Sequence, residues 1–238
     1  MLFKKLIKRY LLKYKKCILA DNKSEINYQV INNTINNKYP CKIFASNCNF
    51  KVVNEGCKIS EARCYGDISL GRFVSITGPG TVINSIKEEI HIGSFSSIGQ
   101  NVCIVDFNHS FDRITSSFIS SKIFKEKVSD EVVTKGSVII EEDVWIGSNS
   151  VILPGVKVGR GSVIGAGSIV TRDIPMYSIV YGSPALVVSK RFDEDTIKYL
   201  EELQWWNWDI KRILKNKTLF KVSLVNITDK ELDDIVKV

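Results

Sequence analysis

An aliphatic side chain recurs every six residues through the second half of this chain. With 44% of the sequence hydrophobic, six hits in one register arise by chance about once in a hundred times or less. A period of six fits neither an α-helix nor a simple β-strand, and it is typical of a parallel β-solenoid in which each hexad supplies one short strand and a turn. The positions are Ile140, Ile146, Ile152, Val158, Ile164 and Val170.

The fifth position of each hexad is also restricted, because it is always small or β-branched. We expect the first position to point into the solenoid and to stack on its copy three hexads later, and the fifth to fit the corner beside it. Glycines inside these hexads supply turn conformations that other residues resist. The fifth-position residues are Val144, Ser150, Val156, Ser162, Ser168 and Ile174, and the glycines are Gly147, Gly155, Gly159, Gly161, Gly165 and Gly167.

The same period occurs earlier in the chain, with less regularity. We therefore predict one solenoid over about 50–103 and 138–175, interrupted by an aperiodic insert at 104–137. An insert of this length is usually functional or disordered. The earlier runs are Leu70, Ile76 and Val82, and then Ile86, Ile92, Ile98 and Ile104.

The net charge of +7 is concentrated at the N-terminus. Residues 1–16 contain seven lysines and arginines and no acid, so the other residues are formally neutral and nucleic-acid binding loses its support. Apolar residues in this segment follow a helical period, which predicts a basic amphipathic helix. Such a helix either packs on the solenoid end or on a neighbouring subunit, or attaches to an anionic membrane surface.

Several classes of protein are excluded by composition. No run of 18 apolar residues exists, so we predict no transmembrane helix. The six cysteines have no metal-binding spacing and are predicted to be small buried residues of a reduced protein. No secretory signal is visible, which favours a cytoplasmic location, with attachment to the inner face of the membrane as an alternative.

The C-terminal region is predicted to be helical over residues 193–215, with Asp193 as the N-cap. Its cluster of tryptophans is expected to anchor packing, and a base-stacking or sugar platform is the alternative. The chain thus divides into an N-terminal basic helix with an irregular region (1–50), a β-helix domain with a protruding loop (51–190), and a C-terminal helical region with a tail (191–238).

Three segments together resemble one family. The segments 144–192, 107–118 and 203–213 are similar to the left-handed β-helix acyltransferases, and within them to the xenobiotic (CatB-related) acetyltransferase branch. The resemblance implies a left-handed coil and a homotrimer with sites between neighbouring subunits. It also implies that acetyl-CoA donates an acetyl group to a hydroxyl or an amine, without a metal.

The insert supplies the catalytic residue that the resemblance implies. His109 matches the histidine of the family, and imidazole is suited to remove the proton of a hydroxyl because it titrates near neutral pH. Either Asp106 or Asp112 could orient His109, and the sequence does not choose between them. Asn108 and Asp112 are assigned to binding of the acceptor.

The cofactor-binding residues are also carried over from the resemblance. Trp145 is expected to border the acceptor or pantetheine cleft, and the backbone amides of Ser148 and Ala166 are expected to hold the thioester arm. The residues expected to flank this path are Gly147, Gly165 and Thr171. Where the branch often has basic residues for the CoA phosphates, this chain has Leu186 and Ser189, so the following Lys190 and Arg191 are the expected substitutes.

The chain has only two histidines, and the second, His91, is interpreted as a surface residue of a coil. A zinc site with three histidines is therefore disfavoured. The leading hypothesis is an O-acetyltransferase that modifies a sugar of a surface polysaccharide or of its precursor. A drug-modifying acetyltransferase and a non-catalytic trimeric scaffold are the alternatives.

Overall fold

The computed structural model describes residues 18–21, 23–27, 38–224 and 235–236. They fall into two compact units, of which one ends at Val188 and the other begins at Ser189. The helix predicted for residues 1–16 lies outside the described residues, as do most residues of the C-terminal tail.

Short strands build the first unit. Their bounds in chain order are β1 (Ile18–Ala20), β2 (Glu25–Asn27), β3 (Cys41–Phe44), β4 (Asn47–Asn49), β5 (Val52–Val53), β6 (Lys58–Ser60), β7 (Arg63–Tyr65), β8 (Ile68–Leu70), β9 (Ser75–Thr77), β10 (Val82–Asn84), β11 (Ile90–Ile92), β12 (Ser97–Ile98), β13 (Cys103–Val105), β14 (Asn108–His109), β15 (Val132–Val133), β16 (Val138–Ile140), β17 (Trp145–Ile146), β18 (Val151–Ile152), β19 (Lys157–Val158), β20 (Val163–Ile164), β21 (Ile169–Val170), β22 (Ser178–Gly182) and β23 (Ala185–Lys190).

These strands stack into three sheets. The first has the order β1-β3-β6-β9-β12-β17-β20-β22-β23, the second β2-β4-β7-β10-β13-β18-β21, and the third β19-β16-β11-β8-β5. From β3 to β21, apart from the separate pair β14 and β15, the chain visits the three sheets in turn, so each circuit is one coil of a parallel β-solenoid. The predicted mainly β solenoid is therefore confirmed.

The hexad period sets the register of the stacked coils. Ile146 pairs with Ile164, and Ile152 pairs with Val170, 18 positions or three hexads further on. All six first-position residues are buried, and the fifth-position serines are fully buried at the corners. Because inward residues of one coil lie on those of the next, one continuous apolar core runs along the axis.

The insert leaves the solenoid without disturbing this register. Ile98 of β12 pairs with Ile146 of β17, 48 positions later instead of 18, so about 30 residues leave and return at one corner. They form β14, a π-helical turn (Ser120–Phe124), the short helix α1 (Val128–Glu131) and β15. The sequence predicted an aperiodic segment there, and the structure gives it a defined course.

The solenoid begins earlier than the predicted start near residue 50. Strands β1 to β4 already pair as coil strands in a region that was expected to be irregular. The inward residues of the coils that follow are spaced unevenly: Cys64 lies five positions after Ile59, and Ile83 lies seven after Ile76. Because corner length varies here, a strict period of six pointed to Val82, one position from the buried residue.

Four of the cysteines are inward residues of these early coils. Cys41, Cys48, Cys57 and Cys64 are buried free thiols, and Cys48 pairs with Cys64 in adjacent strands. The hydrogen bond with Cys41, together with burial, raises the pKa of Cys57 well above its ordinary value. The Cys57 thiol therefore stays neutral, and the four buried side chains act as small core residues, as predicted.

The second unit is helical. It contains α2 (Glu194–Leu203), a 3₁₀ turn (Trp205–Asn207), α3 (Ile210–Lys215) and a second 3₁₀ turn (Leu219–Lys221). The side chain of Asp193 accepts a hydrogen bond of 2.8 Å from the amide of Thr196, so the predicted N-cap is confirmed. The predicted helix is interrupted at Gln204, which adopts a left-handed conformation (φ 45°). Trp208 is buried and packs with Leu219, which supports its predicted packing role.

Candidate active site

A two-stranded hairpin holds the backbone of His109. Strand β14 pairs antiparallel with β15, with Asn108 opposite Val133 and His109 opposite Val132. Val132 is buried, whereas His109 and Asn108 are exposed. This pairing therefore fixes the backbone of His109, while its side chain stays exposed.

Two contacts within the insert fix the imidazole ring of His109. Its Nδ1 lies 2.6 Å from the carbonyl oxygen of Ser116. Its ring stacks on that of Phe118, with centroids 4.0 Å apart and an angle of 8° between the planes. Because a carbonyl oxygen only accepts hydrogen bonds, Nδ1 carries a proton, and in the neutral ring Nε2 keeps a free lone pair. His109 is thus arranged to accept a proton at Nε2.

Asp106 does not orient His109. It is fully buried, and its carboxylate accepts hydrogen bonds from the amides of Ile86 (2.8 Å) and Lys87 (2.7 Å) and from that of Glu88. These amides belong to the corner one coil earlier. Asp106 therefore anchors the point where the insert leaves the solenoid.

Asp112 is exposed close to His109 in the chain, and its carboxylate accepts a hydrogen bond from the hydroxyl of Ser110. This hydrogen bond keeps the pKa of Asp112 below its ordinary value, so the side chain is a carboxylate at neutral pH. Of the two acids that the sequence left open, neither is the hydrogen-bond partner of Nδ1. That position is taken by the carbonyl of Ser116.

Trp145 lies on the outer face of the first sheet, between Ser97 and Val163 of the adjacent coils. Its side chain is 58% exposed, although a tryptophan usually buries most of its area. Between the described residues of one chain, no hydrogen bond or ring contact joins Trp145 to His109. Within the described part of a single chain, the two predicted site residues therefore do not share either kind of contact.

Two backbone amides beside this face have no acceptor within the described part of the chain. They belong to Ser148 and Ala166, one coil apart. A Cβ atom at Gly99 would lie 2.9 Å from the amide nitrogen of Ser148, and one at Gly147 would lie 2.6 Å from that of Ala166. Side chains at these glycines would cover the amides, so glycine leaves a track of donors open.

The other predicted cofactor residues have mixed surroundings. Gly165 is required by the next coil, because a Cβ atom there would lie 2.9 Å from Cβ of Tyr181. Thr171 is half-buried at the end of β21. Lys190 ends β23, and the Arg191 guanidinium lies over the ring of Phe192 at 5.0 Å. Lys190 and Arg191 belong to the second unit.

Among the described residues, no three His, Cys, Asp or Glu side chains are grouped so that they could hold a metal ion. His91 lies on β11, half-buried between Ser69 and Ile139 of the neighbouring strands. No helix in the described part of the chain has the length and apolar character needed to span a bilayer.

Comparison with known proteins places this architecture among transferases. The family described as Bacterial transferase hexapeptide (six repeats) matches residues 137–172. The chain is 36% identical over 132 residues to a chloramphenicol acetyltransferase from Klebsiella aerogenes, covering 53% of this chain and 63% of that protein. It thus spans less than two thirds of the length of that relative.

Two further relatives have other named acceptors. A probable macrolide acetyltransferase from Lysinibacillus sphaericus is 38% identical over 139 residues, covering 55% of this chain and 76% of that protein. A galactoside O-acetyltransferase from Lactococcus lactis is 35% identical over 116 residues, covering 47% of this chain and 48% of the relative.

Proposed function

We propose that this chain, which belongs to the hexapeptide-repeat acetyltransferase family, transfers the acetyl group of acetyl-CoA to a hydroxyl of a carbohydrate, with His109 as the general base. The single observation that carries the proposal is the arrangement of the His109 ring. Its Nδ1 is hydrogen-bonded to the carbonyl oxygen of Ser116, which leaves Nε2 as the free proton acceptor on an exposed side chain.

The proposed chemistry follows from this tautomer. Nε2 of His109 takes the proton of the acceptor hydroxyl as its oxygen attacks the thioester carbon and the new ester C–O bond forms. The C–S bond then breaks, and the protonated His109 returns the proton to sulfur, so that free CoA leaves as a thiol. General acid–base catalysis of this kind contributes about 10²- to 10⁴-fold to the rate, and holding both substrates in one site supplies a further part.

The open amides of Ser148 and Ala166 support the proposed binding of acetyl-CoA. A track of backbone donors suits the amide-rich pantetheine arm, and one of the donors, that of Ser148, is proposed to stabilise the oxyanion of the reaction. Trp145 borders this track in the proposal, and Gly147, Gly165 and Thr171 flank it. Lys190 and Arg191 are proposed to meet the phosphates.

We propose a homotrimer whose sites lie between neighbouring copies. Apolar side chains of the insert support an interface there, because Phe111 is 92% exposed and Ile123 and Phe124 are 65% and 62% exposed. Side chains of this kind are normally covered by protein. A second copy beside the insert would also bring a Trp145 near a His109 that its own chain does not contact. Light scattering tests the trimer, and a monomer at micromolar concentration would exclude it.

Two acceptor classes are supported by different relatives. The galactoside acetyltransferase, and the exposed polar side chains of Asn108 and Asp112 beside His109, favour a sugar hydroxyl. We propose that the sugar belongs to a surface polysaccharide or its precursor. The chloramphenicol and macrolide relatives favour an antibiotic hydroxyl as the second candidate.

The test is titration of the full chain with acetyl-CoA, followed by measurement of thiol release with a panel of acceptors. The panel contains a galactoside, a longer oligosaccharide, chloramphenicol and a macrolide. We expect one acetyl-CoA site per chain and thiol release with a carbohydrate. A kcat/KM for chloramphenicol or the macrolide that is tenfold higher than that for the carbohydrates would show that the acceptor is an antibiotic. A well-folded protein that binds no acetyl-CoA would exclude the enzyme and leave the scaffold.

A further inference from the structure

We propose that Glu131 is a positioning residue for His109, and that it acts by tying together the two segments of the insert that touch the histidine. The inference rests on the proposed function, since it assigns to Glu131 the geometry of the proposed general base. Neither the hexad pattern nor the family resemblance points to this residue.

The carboxylate of Glu131 bridges α1 to the π-helical turn. Its Oε1 accepts a hydrogen bond of 2.6 Å from the amide of Ser120, and its Oε2 accepts one of 2.7 Å from the amide of Ser121. Glu131 is only 5% exposed. A charge so far from water needs partners, and the two amides that begin a helical turn provide them.

The protonation state of Glu131 agrees with this geometry. Burial acts to raise its pKa, but the hydrogen bonds from Ser121 and Ser120 outweigh burial, and the pKa is held below the ordinary value. The side chain is therefore a carboxylate at neutral pH. Charge-assisted hydrogen bonds are stronger than neutral ones, so this contact is among the stronger polar contacts in the insert.

The bridge joins the segments on both sides of the imidazole. Ser120 follows Phe118 by two residues and Ser116 by four, and those two residues stack on and hydrogen-bond to the ring of His109. On the other side, Val132 directly follows Glu131 and pairs with the backbone of His109. Glu131 thus fixes the Ser116–Phe118 segment relative to the strand that holds His109.

Loss of the carboxylate would act on the histidine through this segment. Without its anchor, the carbonyl of Ser116 is free to leave Nδ1, and the imidazole can then rotate or change its tautomer. A base that has lost its orienting partner keeps its chemical identity but spends less time in the reactive geometry. The expected defect therefore lies in kcat, with the KM for acetyl-CoA unchanged.

The kinetic test compares Glu131→Gln with Glu126→Gln, which removes an exposed acid of the same insert. We expect kcat to fall about 10- to 100-fold in the first variant, in line with the loss of charged hydrogen bonds, and to stay within about twofold in the second. The double variant of Glu131→Gln with His109→Gln should be no slower than His109→Gln alone. Additive losses would show that Glu131 acts independently of the histidine and would overturn the proposal.

A second readout does not depend on activity. The chain has two histidines, so ¹⁵N spectra of the ring nitrogens can be assigned with a His91→Gln variant. We expect His109 to be protonated at Nδ1 in the parent and to become a mixture of tautomers in Glu131→Gln. An unchanged tautomer, with folding intact, would refute the positioning role. This measurement separates failure of the inference from failure of the proposed function, because it needs no acceptor.

Discussion

The regular coils from Val138 to Ile174 and the insert that carries His109 are ordered by different kinds of contact. In the coils, the inward aliphatic side chains stack on equivalent side chains of the neighbouring coils. In the insert, the shape depends on single polar contacts, such as that of Nδ1 of His109 with the carbonyl of Ser116. Large apolar side chains of the insert are exposed instead of buried.

This difference indicates that stability and catalysis depend on different regions of the molecule. A repeated core tolerates local change because its energy is a sum over neighbouring coils. A loop held by single contacts gives a side chain one defined position, but each contact is indispensable. Changes in the coils should therefore alter stability, whereas changes in the insert should alter catalysis.

The largest expected effect is on catalysis and comes from the insert. His109→Gln should lower kcat by about 10²- to 10⁴-fold, because it removes the proposed general base. The free energy of unfolding should change by no more than about 1.5 kcal/mol, the upper value for the aromatic contact that the exposed ring makes with Phe118. The measurements are thiol release and urea unfolding. His91→Gln is the matched control, and a similar loss of rate in that variant would remove His109 from its role.

The next effect is on stability and comes from the coils. Ile146→Ala should lower the free energy of unfolding by about 2–5 kcal/mol, because it opens a cavity in the continuous core. Ile114→Ala in the insert, where the side chain is fully exposed, should change it by less than about 0.5 kcal/mol. Urea titration of both variants gives the comparison. Equal losses would contradict the separation of the two regions.

A smaller effect is expected from the ring that stacks on His109. Phe118→Leu removes an aromatic contact of about 0.5–1.5 kcal/mol, which corresponds to a roughly 2- to 12-fold change in rate. We expect kcat to fall within that range because the imidazole is less well fixed. Phe44→Leu, at an exposed position of β3 in an early coil, should leave kcat unchanged. An equal loss of kcat at Phe44 would show that the effect at Phe118 does not come from its contact with His109.

The smallest effect concerns an ion pair on the coils. Burial acts to raise the pKa of Glu141, but Lys157 at 2.7 Å and the amide of Arg160 hold it below its ordinary value. Because the pKa of Glu141 is lower in the folded state than in the unfolded state, its ion pair stabilises the fold at pH values above the unfolded-state pKa. This stabilisation is lost as the pH falls through the folded-state pKa.

The corresponding measurement is the free energy of unfolding as a function of pH. The parent should exceed Glu141→Gln by less than about 1 kcal/mol at pH 7, and the difference should shrink from about pH 5 downwards. Glu61→Gln, which removes an exposed acid without an ion pair in the described part of the chain, should follow the parent at every pH. A difference that grows in acid would reverse the sign of the argument.

The regular part of the fold was predictable because its spacing is constant. Ile146 and Ile164 fall on the same face in every coil, so a period of six in the sequence becomes a register of 18 in the structure. The early coils were less predictable, since corners of unequal length moved the inward position to Cys64 and Ile83. Only the paired strands identify which residue points inward there.

The sequence suggested His109 as a candidate, but it did not indicate the arrangement of side chains around it. His109 is singled out by the aperiodic insert and by the family resemblance, whereas its partners Ser116 and Phe118 carry no periodic signal. Loop contacts depend on how the backbone closes, and sequence spacing does not encode that course. The sequence could not choose between Asp106 and Asp112 for the same reason, because the hydrogen-bond partner of His109 Nδ1 is a backbone carbonyl.

The sequence by itself determined the solenoid, its three-hexad register and the place of the insert, because a repeated apolar pattern has one way to bury itself. The tertiary structure decided the tautomer of His109 and the burial of Asp106. These features arise from contacts between residues far apart in the chain or from backbone atoms that every residue carries. A periodic pattern of side chains in the sequence therefore does not predict them.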